Sequence, residues 1–165
     1  MNAPVLTARA YHGHAHAAAP VDRVVLDYEA RFLRRKVLQT EGGGRLLVDL
    51  AQTTSLEHGG VLVLEGGGEI AVVAAAEPLL QITGTGLLRL AWHIGNRHTP
   101  CQIEGIRLLI RRDHVIRAML VQLGATVEEV TEPFNPEGGA YGHGRPHSHE
   151  HGHSLHHGRG HGHEH

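Results

Sequence analysis

Apolar residues along this chain fall into two regimes: short runs bounded by glycine in the first half, and helix-spaced faces mixed with short runs in the second. Between 21 and 76 the runs Val24-Val25-Leu26, Arg45-Leu46-Leu47-Val48-Asp49-Leu50, Val61-Leu62-Val63-Leu64 and Ile70-Ala71-Val72-Val73 have strand length. Gly42-Gly43-Gly44 and Gly66-Gly67-Gly68 supply turns between them. This stretch predicts a small all-β domain. The basic cluster Arg31-Phe32-Leu33-Arg34-Arg35-Lys36 reads as a solvated strand face, or as a docking surface for an acidic protein. Residues 1–20 read as a loose arm carrying Tyr11-His12-Gly13-His14-Ala15-His16.

Beyond the seam at Glu77-Pro78 the pattern changes. Leu79-Leu80-Gln81-Ile82 predicts a strand, and Leu87, Leu90, Ala91 and Ile94 share one face of a helix over 86–98. Gln102-Ile103 and Ile106-Arg107-Leu108-Leu109-Ile110 predict two more strands. Asp113 then caps a second helix with Val115, Ile116, Met119, Leu120 and Leu123 on its apolar face, and Gly124 stops it. Thr126-Val127-Glu128-Glu129-Val130 is a last strand. The order β-α-β-β-α-β over 77–134 predicts a ferredoxin-like domain, so the fold class is α+β. Two prolines and two glycines in 132–141 mark the exit from the packed part, with Phe134 and Tyr141 as candidates to tack the exit back onto it.

The first helix delivers an unusual residue. Four positions past Ile94 the apolar stripe lands on His98, and Pro100, lacking an N–H, ends the helix there. A histidine so placed is either a satisfied core or interface residue or a metal ligand on a dry surface. His114 opens the second helix away from its apolar face and reads as solvent-facing. His93 lies on the flank of the first helix and His58 in a turn.

Composition shifts the balance toward metal. Within 143–165, 10 of 23 residues are histidine, interleaved with Gly, Ser, Glu and Arg, and only Leu155 could join a core. Nothing there offsets the entropy of ordering, so 135–165 predicts a linker followed by a disordered tail. Close-spaced neutral imidazoles suit nickel, copper, zinc and cobalt. The 15 basic and 17 acidic residues leave a formal charge of -2, which argues against nucleic acid as the main partner. Free imidazole titrates near ~6.5, so mild acid should make the chain cationic and expel bound metal. Cys101 is the sole cysteine, which excludes an internal disulfide and a Cys-x-x-Cys zinc knuckle. No run approaches membrane-spanning length, and the expected location is a reducing cytoplasm.

Several motifs together carry a resemblance. Gly95-Asn96-Arg97-His98-x-Pro100, the Arg112-Asp113-His114-Val115 segment, the exit Pro133-Phe134-x-Pro136-Glu137-x-Gly139-Ala140-Tyr141 and the His-rich tail resemble the UreE family of urease accessory nickel chaperones, from residue 21 onward. The resemblance implies a homodimer in which His98 of both subunits binds one nickel ion at the interface. Tail histidines, among them His143, His147 and His149, would complete the coordination, and His151 and His153 would add capacity. His114 matches an auxiliary surface histidine of some members, although Arg111 and Arg112 stand where relatives carry more histidines. The implied partners are the urease maturation machinery, including its GTPase and the apo-urease complex. The rival readings are a nickel, copper or zinc buffer without a delivery role, and a metallohydrolase built on His93, His98 and His114. The second needs convergent ligands, an open water position and a general base. The predicted helix faces point these three histidines apart.

Overall fold

A computed structural model describes residues 4–16 and 19–138. The chain runs β1 (Leu6–His12), β2 (Asp22–Leu26), β3 (Phe32–Gln39), β4 (Arg45–Ser55), β5 (Val61–Leu64), β6 (Glu69–Ala74), β7 (Ala76–Thr83), α1 (Leu87–Asn96), β8 (Gln102–Ile103), β9 (Leu108–Arg111), α2 (His114–Gln122) and β10 (Thr126–Pro133). It is a mixed α+β structure with two sheets, one of order β2-β6-β5-β1-β4-β3 and one of order β10-β7-β9-β8.

In the six-stranded sheet the period-two pattern decides which side chains face inward. On β4, Leu46, Val48 and Leu50 are buried, and they pack with Val24, Leu33, Leu38, Leu62, Ile70 and Val72. The four anticipated strands are present, and two others complete the sheet. Leu6–His12, expected in a loose arm, is instead an inner strand, parallel to β4 and antiparallel to β5. Its side chains gave little warning, because only Ala8 is fully buried and its place is held by backbone pairing. The basic cluster forms β3, where Arg34, Arg35 and Lys36 are exposed as expected. Arg31 departs from that expectation and is 2% exposed. Its guanidinium donates to the carbonyls of Leu56 (3.1 Å), Leu26 (3.0 Å) and Phe134, an arrangement no local pattern announces.

In the four-stranded sheet all neighbours are antiparallel. Alternation along the strands splits its residues between two faces. Leu80, Ile82, Leu108 and Ile110 meet Leu90 and Ile94 of α1 and Ile116 and Leu120 of α2. Leu79 and Leu109 point the other way and pack with Tyr28 and Phe134. Pro78 is accommodated because it lies where β7 is flanked by β10 alone; pairing with β9 starts at Leu79. Ile106, anticipated in a strand, is exposed in the turn before β9. The α2 face is narrower than expected, with Ile116 and Leu120 buried but Val115 and Leu123 exposed.

Arg31 and Tyr28 join the two units. The Phe134 carbonyl accepts from Arg31, the Phe134 ring meets Tyr28 edge-on at 5.4 Å, and the Arg111 guanidinium lies over the Tyr28 ring at 4.8 Å from its centre. Burial pulls the Arg31 guanidinium below its usual value, opposed by the charge of Glu77, which accepts the Tyr28 N–H at 2.8 Å.

Candidate metal centre

α1 buries Leu90 and Ile94 and half-buries Leu87 and Ala91, the anticipated face. Its end differs from the expected one. The helix stops at Asn96, and His98 takes the left-handed conformation with φ of 57°. The Thr99 N–H donates to the Ile94 carbonyl at 3.4 Å and the His98 N–H to the Gly95 carbonyl at 3.0 Å. These are the paired bonds of a Schellman termination, with His98 at the position glycine usually fills. Among the described residues His98 is the one non-glycine with positive φ. It therefore leaves the apolar stripe and stands exposed beyond the helix. The weak turn at Gly95 ends the helix two residues sooner than the stripe suggested, since Arg97 already bonds back three residues, to Ile94, at 3.2 Å.

The surroundings of this turn are firm. Arg97 Nε–H points at Met119 Sδ of α2 at 2.8 Å. The carbonyl end of α1 carries partial negative charge, which favours a cation beside it by roughly 0.3–1 kcal/mol. The exit from β10 returns to the same place: the Asn135 N–H donates to Gln102 Oε1 at 2.8 Å, and the Glu137 N–H to the Cys101 carbonyl at 2.8 Å. The root of the histidine-rich segment is thus tied three residues from His98. Burial and then the charge of Glu137 push the Cys101 thiol up to about 11, which keeps it a neutral thiol in the metal-free chain at neutral pH.

The other histidines sort by environment. His114 is exposed at the start of α2, where Asp113 Oδ1 accepts the N–H groups of Val115 (2.9 Å) and Ile116 (3.0 Å). A helix start bears positive partial charge and Arg111 and Arg112 adjoin it, so this position disfavours a cation where the end of α1 favours one. His93 is half-buried with its ring edge-on to Trp92 at 5.1 Å. His58 Nδ1 accepts the Ala74 N–H at 3.1 Å, a turn contact. His143, His147, His149, His151 and His153 lie outside the described residues, as does Tyr141. Among the described residues no three His, Cys, Asp or Glu side chains converge as a metal cage, so a site on His98 must draw its further donors from elsewhere.

One feature escaped the sequence reading. Leu88 and Trp92, four residues apart, are 91% and 63% exposed on the side of α1 roughly opposite its core face. Their spacing was visible, and the clean stripe beside them drew the apolar reading away.

Comparison with known families accounts for both halves of the chain. Residues 5–75 match the N-terminal domain of the UreE urease accessory protein, and residues 77–165 its C-terminal domain. The urease accessory protein UreE of Ruegeria sp. (strain TM1040) is 74% identical over 147 residues, covering 89% of this chain and 84% of that protein. That of Ruegeria pomeroyi is 64% identical over 136 residues, covering 82% and 91%. That of Rhizobium meliloti is 51% identical over 141 residues, covering 84% and 87%. A two-unit α+β chain with these matches is an accessory chaperone and not an enzyme, which sets the metallohydrolase reading aside. The chain belongs to the UreE family of urease accessory proteins.

Proposed function

We propose that this chain is a nickel metallochaperone that acts in the cytoplasm as a homodimer and delivers nickel for assembly of the urease metallocentre. In this reading residues 77–134 are a ferredoxin-like metal domain, which the strand order β10-β7-β9-β8 and the two helices on one face support. His98 of each copy holds the cargo ion, since an isologous interface brings the same residue together twice. The outward apolar pair Leu88 and Trp92, on the helix that leads to His98, supports a second copy as its cover. Nickel is the preferred cargo by family; copper and zinc suit the same imidazole donors. The urease maturation machinery, including its GTPase and the apo-urease complex, receives the ion.

The observation that carries this reading is the tie between Glu137 and Cys101. His143 is six residues beyond Glu137, a contour of roughly 20 Å, and His98 is three residues from Cys101, roughly 10 Å at most. His143 therefore reaches His98 comfortably, and His147 and His149 reach it with slack. Donors borrowed from a tethered segment exchange their ion more readily than a closed four-ligand cage would. His114 serves at most as an auxiliary ligand, given its electrostatic setting. Nickel titration calorimetry of the full chain tests the assignment. His98→Ala should abolish a tight site of one ion per two chains while leaving weaker sites, and tight binding left intact would overturn it.

The density of histidine in 143–165 also favours a metal buffer without a delivery role. A chain lacking those residues separates the two readings in a urease activation assay. A donor retains part of its activating ability, and a buffer never had any.

A further inference from the structure

The amino-terminal unit carries a histidine cluster that the His98 site leaves unused. β1 ends at His12, and the chain bends at Gly13 and His14 before His16. Residues two apart on an extended chain face the same way, so His12, His14 and His16 begin on one side, and the bend draws their rings together. The ring centres of His12 and His16 are 4.8 Å apart, as are those of His14 and His16. All three are exposed. The arrangement is anchored from below by Glu69, the 6% exposed first residue of β6. Its carboxylate accepts the His16 N–H at 3.1 and 3.3 Å, and its carbonyl accepts the Val21 N–H at 2.9 Å, so His16 and Val21 are both pinned to one strand.

We propose that His12, His14 and His16 form a second binding site, for a divalent nickel, copper or zinc ion, on the rim of the six-stranded sheet. The geometry is the warrant. With metal–nitrogen bonds of roughly 2.0–2.1 Å, two imidazoles sharing an ion at a right or tetrahedral angle hold their ring centres about 4.5–5.2 Å apart. Both 4.8 Å separations fall inside that window, with His16 as the common member. The rings meet edge-on at 86° and tilted at 52° rather than with nitrogens converged, so capture needs only side-chain rotation of exposed groups. No hydrogen bond among the described residues holds those ring nitrogens back. Three neutral imidazoles with water in the remaining positions make an open, exchangeable site. It loads and releases without unfolding the sheet.

The site is independent of His98, and its test reads position rather than total binding. Copper(II) is added stepwise to the isotopically labelled full chain at neutral pH, and backbone amide resonances are followed. Paramagnetic broadening should appear at residues 11–16 and at Glu69, saturating as its own isotherm, and equilibrium dialysis with zinc should fall by one ion per chain in the triple variant His12→Asn, His14→Asn, His16→Asn. That variant should retain a dispersed spectrum, since it alters exposed side chains only. Broadening at Glu69 that survives the triple substitution, or none at 11–16 at copper saturation, would overturn the proposal.

Discussion

Replacing His98 with glycine should make the protein more stable while removing its candidate metal ligand. His98 has φ of 57° at the terminating position of α1 and is exposed, so its side chain contributes little packing to lose. Holding a residue with a Cβ in this region costs roughly 1–2 kcal/mol, histidine lying toward the low end. Glycine removes that cost but loses more freedom on folding, which returns roughly 0.5–1 kcal/mol. The net gain is up to about 1 kcal/mol, or a rise in Tm of up to about 4 °C. His98→Ala keeps the strain and should be close to neutral. Urea and thermal unfolding with a chelator present, so that metal linkage does not mask the effect, gives the comparison directly. Nickel calorimetry on the same two variants should show the tight site gone from both. A glycine variant less stable than the wild type would refute the reasoning, because the imidazole would then be supporting the turn rather than straining it.

Arg31→Met should destabilise by at least about 3 kcal/mol, because three carbonyl acceptors lose a charged donor worth roughly 1.5–3 kcal/mol each; a loss below about 1 kcal/mol in the urea midpoint would show that water replaces it. At pH 8 the Cys101 thiol should react with a disulfide reagent about a hundredfold more slowly in the folded chain than in the unfolded one, since burial raises it from 9.0 to about 11; equal rates would contradict that burial. Glu132, held below the ordinary glutamate range by Arg107 at 2.7 and 2.8 Å, adds stability that is full above that range and is lost as pH falls through its depressed value. Glu132→Gln should therefore flatten the acid limb of the stability–pH curve and leave the neutral region offset, and an unchanged limb would remove Glu132 from the acid transition.

What the sequence made legible follows from how local each determinant is. Asp113 and Gly124 bracket α2 because a cap and a positive-φ stop act on their immediate neighbours, and both operate as read. The faces of α1 and β4 were legible because burial follows a fixed period. β1 was not, since its position depends on partners 40 and more residues away and its apolar content is small. Arg31 looked like its basic neighbours, and the carbonyls that take its guanidinium inward lie as far as 103 residues away, at Phe134. The geometry expected of His98 was misread. A stripe drawn by period alone assumes that the helix continues, and the bonds that end it are visible only in three dimensions.

Phe134 links the two halves of the candidate chemistry. It is fully buried between the units, its carbonyl takes the Arg31 guanidinium, and three residues later Glu137 bonds to Cys101 beside the His98 turn. The joint that locks the amino-terminal unit onto the second sheet therefore lies three residues before the point where Glu137 is held beside Cys101. A lesion at Arg31 too mild to unfold the chain, such as Arg31→Lys, which supplies a point charge in place of a fork, should loosen that hold and lower the effective concentration of tail imidazoles at His98. The tight nickel site would weaken while the weaker tail sites kept their affinity. Parallel weakening of both classes in calorimetry would mean that the root of the tail does not depend on the joint.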